Sequence, residues 1–234
     1  MNASTWLLAV TAFSCARDPE HADEPDHARA REAMVAEQLA SRGVRDAKTL
    51  AALRKVPRHL FVPPASVREA YDDHPLPIGH GQTISQPYIV GFMTEALGLH
   101  GGETVLEVGT GSGYQAAVLS EIAGRVYTIE IVPALAEEAR GRLLRLGYAN
   151  VEVRAGDGYL GWPEAAPFDA ITVTAAAPRI PQPLKEQLRD GGRLILPVGD
   201  EYQELIVVTR RGASFEERRV LPVRFVPMTG KVRQ

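Results

Sequence analysis

The run Val105-Leu106-Glu107-Val108 breaks into Gly109-Thr110-Gly111-Ser112-Gly113-Tyr114, and this junction constrains the fold more than any other stretch of the chain. β-Branched Val105 and Val108 suit a buried strand, while glycines at every second position let backbone N–H groups approach a ligand with no Cβ in the way. Gln115 to Ile122 reads as a helix whose N-terminus faces the loop. Such a terminus attracts carboxylate, phosphate or sugar oxygens. Strand, glycine loop and helix in that order build a cofactor cradle on an α/β sheet, so the chain reads as an enzyme.

The glycine spacing narrows the cofactor. A dinucleotide fingerprint, G-x-G-x-x-G, needs glycine or alanine where Tyr114 stands. Glu107 to Gly113 follows E-x-G-x-G-x-G instead, which resembles motif I of the class I S-adenosylmethionine-dependent methyltransferases. The loop alone leaves the cofactor open. The next strand, Arg125 to Ile129, ends on Glu130, about twenty residues after the loop, where a carboxylate can accept from both ribose hydroxyls. The alternative is a tight turn followed by an exposed glutamate. The strand Val151 to Ala155 ends in Gly156-Asp157-Gly158. There a carboxylate can accept the adenine amine while the backbone meets the ring edge, or Asp157 makes a plain Asx turn. The strand Phe168 to Val173 runs into Thr174-Ala175-Ala176-Ala177-Pro178. Small residues at the carboxyl edge of a sheet leave room for substrate and transferred group to meet.

With 234 residues, 45% of them hydrophobic and 24% charged, the chain can bury a full α/β core in one domain. That domain is expected over 28–234, as a helical and substrate-facing segment 28–100 before a Rossmann-like core 101–234. A net charge of −3 gives no general attraction to nucleic acid. Cys15 is the single cysteine, which excludes an intrachain disulfide and a cysteine metal cluster. The six histidines show no metal-ligand spacing, so no metal is expected.

Residues 1–27 read as a signal-like or disordered extension: Trp6 to Phe13 is apolar, and Asp18 to His27 is acidic and proline-bearing. Around Cys15 it resembles a lipoprotein signal, although no Lys or Arg precedes the apolar run and Ala12 stands where leucine is usual. A frayed extension or a misassigned start is the other reading. Because S-adenosylmethionine is made in the cytoplasm, a cytoplasmic location is expected, with export or lipid anchoring through Cys15 as the alternative. No other segment approaches the ~20 apolar residues of a membrane span.

Helical spacing predicts a helix over Ala28 to Ala40 that stops at Gly43, and a second, capped by Asp46, that runs to Val56. Arg58 to Pro64 reads as an extended connector and Asp72 to Gly81 as a loop. A third helix runs to about Leu97, with Ser85 or Gln86 near its cap and Pro87 in its first turn. Then follow strand 103–108, helix 113–123, strand 125–130, helix 133–146 and strands 151–155 and 168–173. Helix 181–189 and strands 193–198, 204–209 and 219–227 complete the chain. This alternation predicts a doubly wound, mostly parallel α/β sheet with helices on both faces and an antiparallel C-terminal strand.

Several blocks together carry a more specific resemblance: Gly81 to Tyr88, the loop at 107–113, Ala166 to Ile171, the Ala175–Pro178 turn and Gly191 to Gly199. In order and spacing they resemble the protein-L-isoaspartate O-methyltransferases, from about residue 28 to the C-terminus. The resemblance implies transfer of the methyl group of S-adenosyl-L-methionine, leaving S-adenosyl-L-homocysteine, to the free α-carboxylate of L-isoaspartyl residues in damaged proteins and peptides. The ester then cyclises to a succinimide that can reopen as aspartate. It implies a protein-repair enzyme that takes isoaspartyl proteins as partners and no nucleic acid; a monomer is expected.

In that family the Thr-Ile-Ser segment lies over the substrate and its serine is the active-site residue, here Thr83, Ile84 and Ser85. Tyr88, Val226 and Pro227 join it as substrate-facing positions. Glu107, Gly109, Thr110, Gly111, Ser112, Gly113, Glu130, Asp157 and Gly158 are the matching cofactor positions, with Thr229 and Gln234 at the C-terminus. Tyr88 departs from the histidine of many relatives, and Thr174 from the glycine of some. An α-carboxylate with a pKa near ~3.5 is ionised at neutral pH, so no general base is needed and Ser85 reads as a positioner. A helix N-cap is its purely structural alternative. A small-molecule or RNA methyltransferase shares residues 103–175 but does not predict the Thr83–Tyr88 segment. A non-catalytic envelope lipoprotein that kept the fold is the third reading, and it would be favoured by loss of Glu130, Asp157 or Ser85.

Overall fold

The computed structural model describes residues 25–233; the expectations for Cys15, for the rest of residues 1–24 and for Gln234 lie outside the described residues. Helix α1 (Pro25–Ala33) passes into a π turn at Met34–Leu39 and a 3-10 turn, which Gly43 ends at φ +97°. Helix α2 (Ala47–Lys55) begins as predicted, with the Asp46 carboxylate accepting the Thr49 N–H at 2.7 Å. That bond satisfies one of the donors that a helix start leaves free.

The expected connector at 58–64 is not extended. Arg58–Phe61 and Pro64–Glu69 form 3-10 turns, each entered from a proline whose ring presets φ. Arg58 is fully buried there, and its Nε donates to the Ala70 carbonyl at 2.7 Å. The expected loop at 72–81 contains strand β1 (Leu76–Gly79), which pairs antiparallel with β2 (Gln82–Ile84). Helix α3 (Pro87–Leu97) follows; its N-cap is Gln86, without a side-chain cap bond. Ser85 is therefore not the helix cap. Proline in the first turn brings the right φ and lacks one of the N–H groups that a cap would serve.

The core is built from β3 (Thr104–Val108), α4 (Tyr114–Ser120), β4 (Arg125–Glu130), α5 (Pro133–Arg145) and β5 (Val151–Ala155). It continues with β6 (Phe168–Val173), α6 (Gln182–Glu186), β7 (Leu188–Val198), β8 (Gln203–Arg211) and β9 (Ser214–Val223). Helix α6 is shorter than the expected 181–189 because Leu188 already pairs with Phe168, and β7 reaches Arg193 through an irregular register. Strand β9 starts well before 219, since Phe215 to Arg219 pair with β8. A charged edge strand lacks the apolar alternation by which a strand is read, and its charges deter pairing with other chains.

One seven-stranded sheet results, in the order β5-β4-β3-β6-β7-β8-β9, parallel from β5 to β7 and antiparallel at β8 and β9. Side chains alternate between its faces. Val105, Val126 and Ala170 point into one core with residues of α2 to α5. Leu106, Ile129 and Ile171 point into the other, which Leu184 of α6, Trp162 and Met228 close. The second face is thus covered by one short helix and by loop residues, more thinly than the first. After β3 the chain builds outward to β5 and then crosses back to lay β6 on the other side of β3. The crevice above β3 and β6 is the place where such sheets bind ligands. Among the described residues, no helix is long and apolar enough to cross a membrane.

Candidate active site

The predicted loop caps that crevice. Gly109, Gly111 and Gly113 all have positive φ, at +100°, +52° and +88°. A Cβ on Gly109 would lie 2.3 Å from Thr174 Oγ1, so glycine is required there both by conformation and by space. The loop is tied down from several sides. The Gly109 N–H donates to the Ile129 carbonyl at 2.8 Å. Thr174 Oγ1 donates to the Gly109 carbonyl at 2.7 Å. Arg142 of α5 donates to the Ser112 carbonyl at 2.7 Å; burial pulls its pKa below the usual arginine value. Gly113 serves as N-cap of α4, against Leu143, and does not face the crevice.

Glu130 is buried at the end of β4, and its two oxygens accept from the Gly111 N–H at 2.8 Å and the Val132 N–H at 3.0 Å. A carboxylate offers about four lone-pair sites, so acceptor capacity remains for a ligand. Glu130 lines a cavity of about 100 Å³ together with Gly109, Gly111, Gly158 and Thr229. Ile129, Ile131 and Val132 give it an apolar side. Gly158 admits no side chain: a Cβ would approach Val108 Cγ1 to 2.3 Å.

Glu107 is fully buried on β3. Thr128 Oγ1 donates to its Oε2 at 2.6 Å, and the same hydroxyl lies 2.6 Å from Thr110 Oγ1. Its Oε1 has no hydrogen-bond partner among the described residues. Burial, helped by the negative Glu130 and opposed by the Thr128 bond, pushes the carboxyl up to about 8. Glu107, Thr110 and Ser112 line a small recess that also touches Ile84 and Ser85.

On the other side of Thr174 opens a wider groove of about 760 Å³. Thr83, Ser85 and Gln86 form one wall, and residues 222–226 form the opposite one. Thr83, Thr174 and Val226 line both this groove and the Glu130 cavity, so the two are continuous. Backbone pairing places the C-terminal wall: the Ala176 N–H donates to Val226 O at 2.8 Å, and the Met228 N–H to Ala176 O at 2.7 Å. Pro227 and Thr229 follow into the cavity lining.

Tyr88 and Asp157, like Gly113, stand outside the lining of these cavities. The ring of Tyr88 lies under the Arg42 guanidinium, 3.6 Å from ring centroid to carbon, and near Phe92, while its neighbour Ile89 faces the groove. A helical step of about 100° separates consecutive side chains, and Ile89 holds the inward one. The Asp157 carboxylate accepts from the Tyr159 N–H at 3.0 Å and from the Lys231 N–H at 2.8 Å. It makes the Asx-type turn and holds the C-terminal turn in place; Gly158, one residue on, lines the cavity. Arg142 is a loop-holding residue that the sequence reading does not single out, and Thr174, which departs from the glycine of some relatives, holds the loop from the other side.

A profile of the protein-L-isoaspartate(D-aspartate) O-methyltransferase family matches residues 29–233. The chain belongs to that family. Among curated relatives, protein-L-isoaspartate O-methyltransferase 2 of Shewanella sediminis is 57% identical over 89% of this chain and 86% of its own length. The Gloeobacter violaceus enzyme is 60% identical, covering 84% of this chain and 97% of its own. A solved protein-L-isoaspartate O-methyltransferase superposes with a TM-score of 0.79 at 32% identity, covering 86% of this chain and 67% of that one. A Plasmodium falciparum beta-aspartate methyltransferase in complex with S-adenosyl-L-homocysteine gives a TM-score of 0.73 at 24% identity, over 85% of this chain and 98% of that one. The family fold accounts for the helical segment ahead of β3, which carries the Thr83–Ser85 wall of the groove.

Proposed function

We propose that this protein methylates the free α-carboxylate of L-isoaspartyl residues in damaged proteins and peptides, with S-adenosyl-L-methionine as donor. The observation that carries the reading is the continuity of the Glu130 cavity with the Ser85 groove through Thr83, Thr174 and Val226. The Glu130 recess and the wider Ser85 groove share one junction, where donor and acceptor can meet.

The residues present fit the donor. Glu130 would accept the ribose hydroxyls, the apolar side at Ile129 to Val132 would flank the adenine, and Gly158 leaves space for the ring edge. The unpartnered Oε1 of Glu107 would take a donor from the amino-acid end. Bound there, S-adenosylmethionine supplies an electrophilic methyl on a sulfonium. Glu107, Gly109, Thr110, Gly111, Ser112, Glu130, Gly158 and Thr229 are the cofactor positions in this reading, with Gly113 and Asp157 supporting them. The substrate carboxylate arrives ionised, so the chain has to align it rather than activate it. Ser85 takes part in no hydrogen bond with another described residue and lines both the groove and the Glu107 recess, so its hydroxyl is free to donate to that carboxylate. A cytoplasmic, monomeric enzyme fits this reading.

Incubated with labelled donor, the protein should methylate an isoaspartyl peptide and leave its aspartyl twin unlabelled. Equal labelling of both, or labelling of RNA alone, would overturn the assignment. Ser85→Ala should lower the single-turnover rate about 10- to 100-fold, as for loss of a hydrogen bond to a charged group, with the calorimetric Kd for S-adenosyl-L-homocysteine nearly unchanged. An unchanged rate would reduce Ser85 to a lining residue. A covalent serine adduct detected by mass spectrometry would make it a nucleophile.

A further inference from the structure

The groove beside Ser85 has a charge asymmetry that the methyl-transfer chemistry does not use. Among the described residues that line it, Arg224 alone is charged. Arg224 is exposed, and no ion pair engages it among the described residues. Several arginines elsewhere on the surface are matched: Arg219 with Glu204, Arg233 with Asp200, Arg189 with Asp169.

The backbone on either side of Arg224 is fixed. The Phe225 N–H donates to Gln203 Oε1 at 2.6 Å, and Gln203 Nε2 donates back to the Phe225 carbonyl at 3.2 Å. Val226 is held by Ala176 at 2.8 Å. Phe225 packs towards the core, and in extended chain its neighbour Arg224 faces the opposite way. The backbone that carries Arg224 is thereby held at the groove wall, and its long side chain has no competing ion-pair partner among the described residues. Across the groove, near Pro75, Asp73 is already occupied by Arg42 and by Gln86 Nε2, the latter at 2.8 Å. His74 lies within 4 Å of Glu69 and Asp72. Among the described residues that line the groove, a peptide thus meets one unmatched cation, at Arg224.

We infer that Arg224 is a specificity-determining residue, which makes the protein favour isoaspartyl segments with acidic residues flanking the damaged position. The inference rests on the isoaspartyl methyltransferase reading. Arginine presents a planar fork of donors that matches a carboxylate, and an exposed pair of this kind changes affinity modestly and in a salt-dependent way.

The test uses the full chain with three isoaspartyl peptides, identical except that glutamate, glutamine or lysine flanks the isoaspartyl residue on both sides. At low ionic strength kcat/KM should fall from glutamate to lysine by about 2- to 5-fold, with the difference in KM and eroded by salt. Arg224→Gln should level the series, and Arg224→Glu should invert it. The glutamine-flanked peptide reports whether each variant remains folded and active. Fluorescence anisotropy of the same labelled peptides, with S-adenosyl-L-homocysteine present, reads the groove independently of methyl transfer. A charge preference in binding without any methylation would fault the methyltransferase reading and leave the role of Arg224 standing. Binding that ignores the flanking charge, or a preference that survives unchanged in Arg224→Gln, would overturn the inference.

Discussion

Glu130→Ala is expected to weaken binding of S-adenosyl-L-homocysteine about 10- to 100-fold, a loss of about 1.5–3 kcal/mol in all, on the scale of a hydrogen bond to a charged group. Two effects add. The ligand loses its carboxylate acceptor, and the Gly111 and Val132 N–H groups lose the oxygens that hold them at 2.8 and 3.0 Å. The loop keeps its other ties, from Thr174 and Arg142, so the fold should survive with an unchanged circular dichroism spectrum. Glu130→Gln separates the contributions, since one oxygen can still accept from a backbone N–H while the charge is gone. Its affinity should fall between those of the parent and the alanine variant. Calorimetry giving the same Kd for Glu130→Ala and the parent would show that the carboxylate serves the loop alone.

How much of this was legible in the chain depends on how local each cause is. The strand-loop-helix at Val105 to Ile122 and the cap at Asp46 are written in neighbouring residues, and both stand where the sequence puts them. Glu130 is also readable, because strand length and helix length fix how far along the chain the next strand must end. The hold of Thr174 on the Gly109 carbonyl spans 65 residues, and that of Arg142 on the Ser112 carbonyl spans 30; neither leaves a local pattern. At Asp157 the turn is legible in the sequence, while the bond its carboxylate accepts from Lys231, 74 residues on, is not. Tyr88 closes a recognisable block, which places it among the substrate-facing positions by sequence. Its direction is decided by the α3 helical phase and by Arg42, from an element the block does not contain. The expected strand 219–227 lies displaced towards the C-terminus from β9, Ser214–Val223, because an edge strand rich in charge carries no apolar period to mark its start.

Glu107→Gln is expected to stabilise the ligand-free protein at alkaline pH. The carboxyl is fully buried, one oxygen is served by Thr128 at 2.6 Å and the other has no partner, so ionisation in the fold is penalised and the group titrates near 8 rather than 4.5. Between those two values the folded chain holds a proton that the unfolded chain has released, and stability must fall as pH rises. The contribution is fully present below the unfolded pKa and is lost as pH passes through the folded one. Each unit of separation corresponds to about 1.4 kcal/mol, so on the order of 2–4 kcal/mol should disappear from the parent between pH 5 and 9. Glutamine cannot ionise, and its oxygen can still accept from Thr128. The variant should therefore lie close to the parent in urea denaturation at pH 5 and exceed it by on the order of 2–4 kcal/mol at pH 9. A difference between the two that does not change with pH would mean that Glu107 is ionised in the fold throughout. Its free oxygen would then be a standing charge awaiting the donor, rather than a carboxyl that gives up its proton only when a cationic ligand makes that favourable.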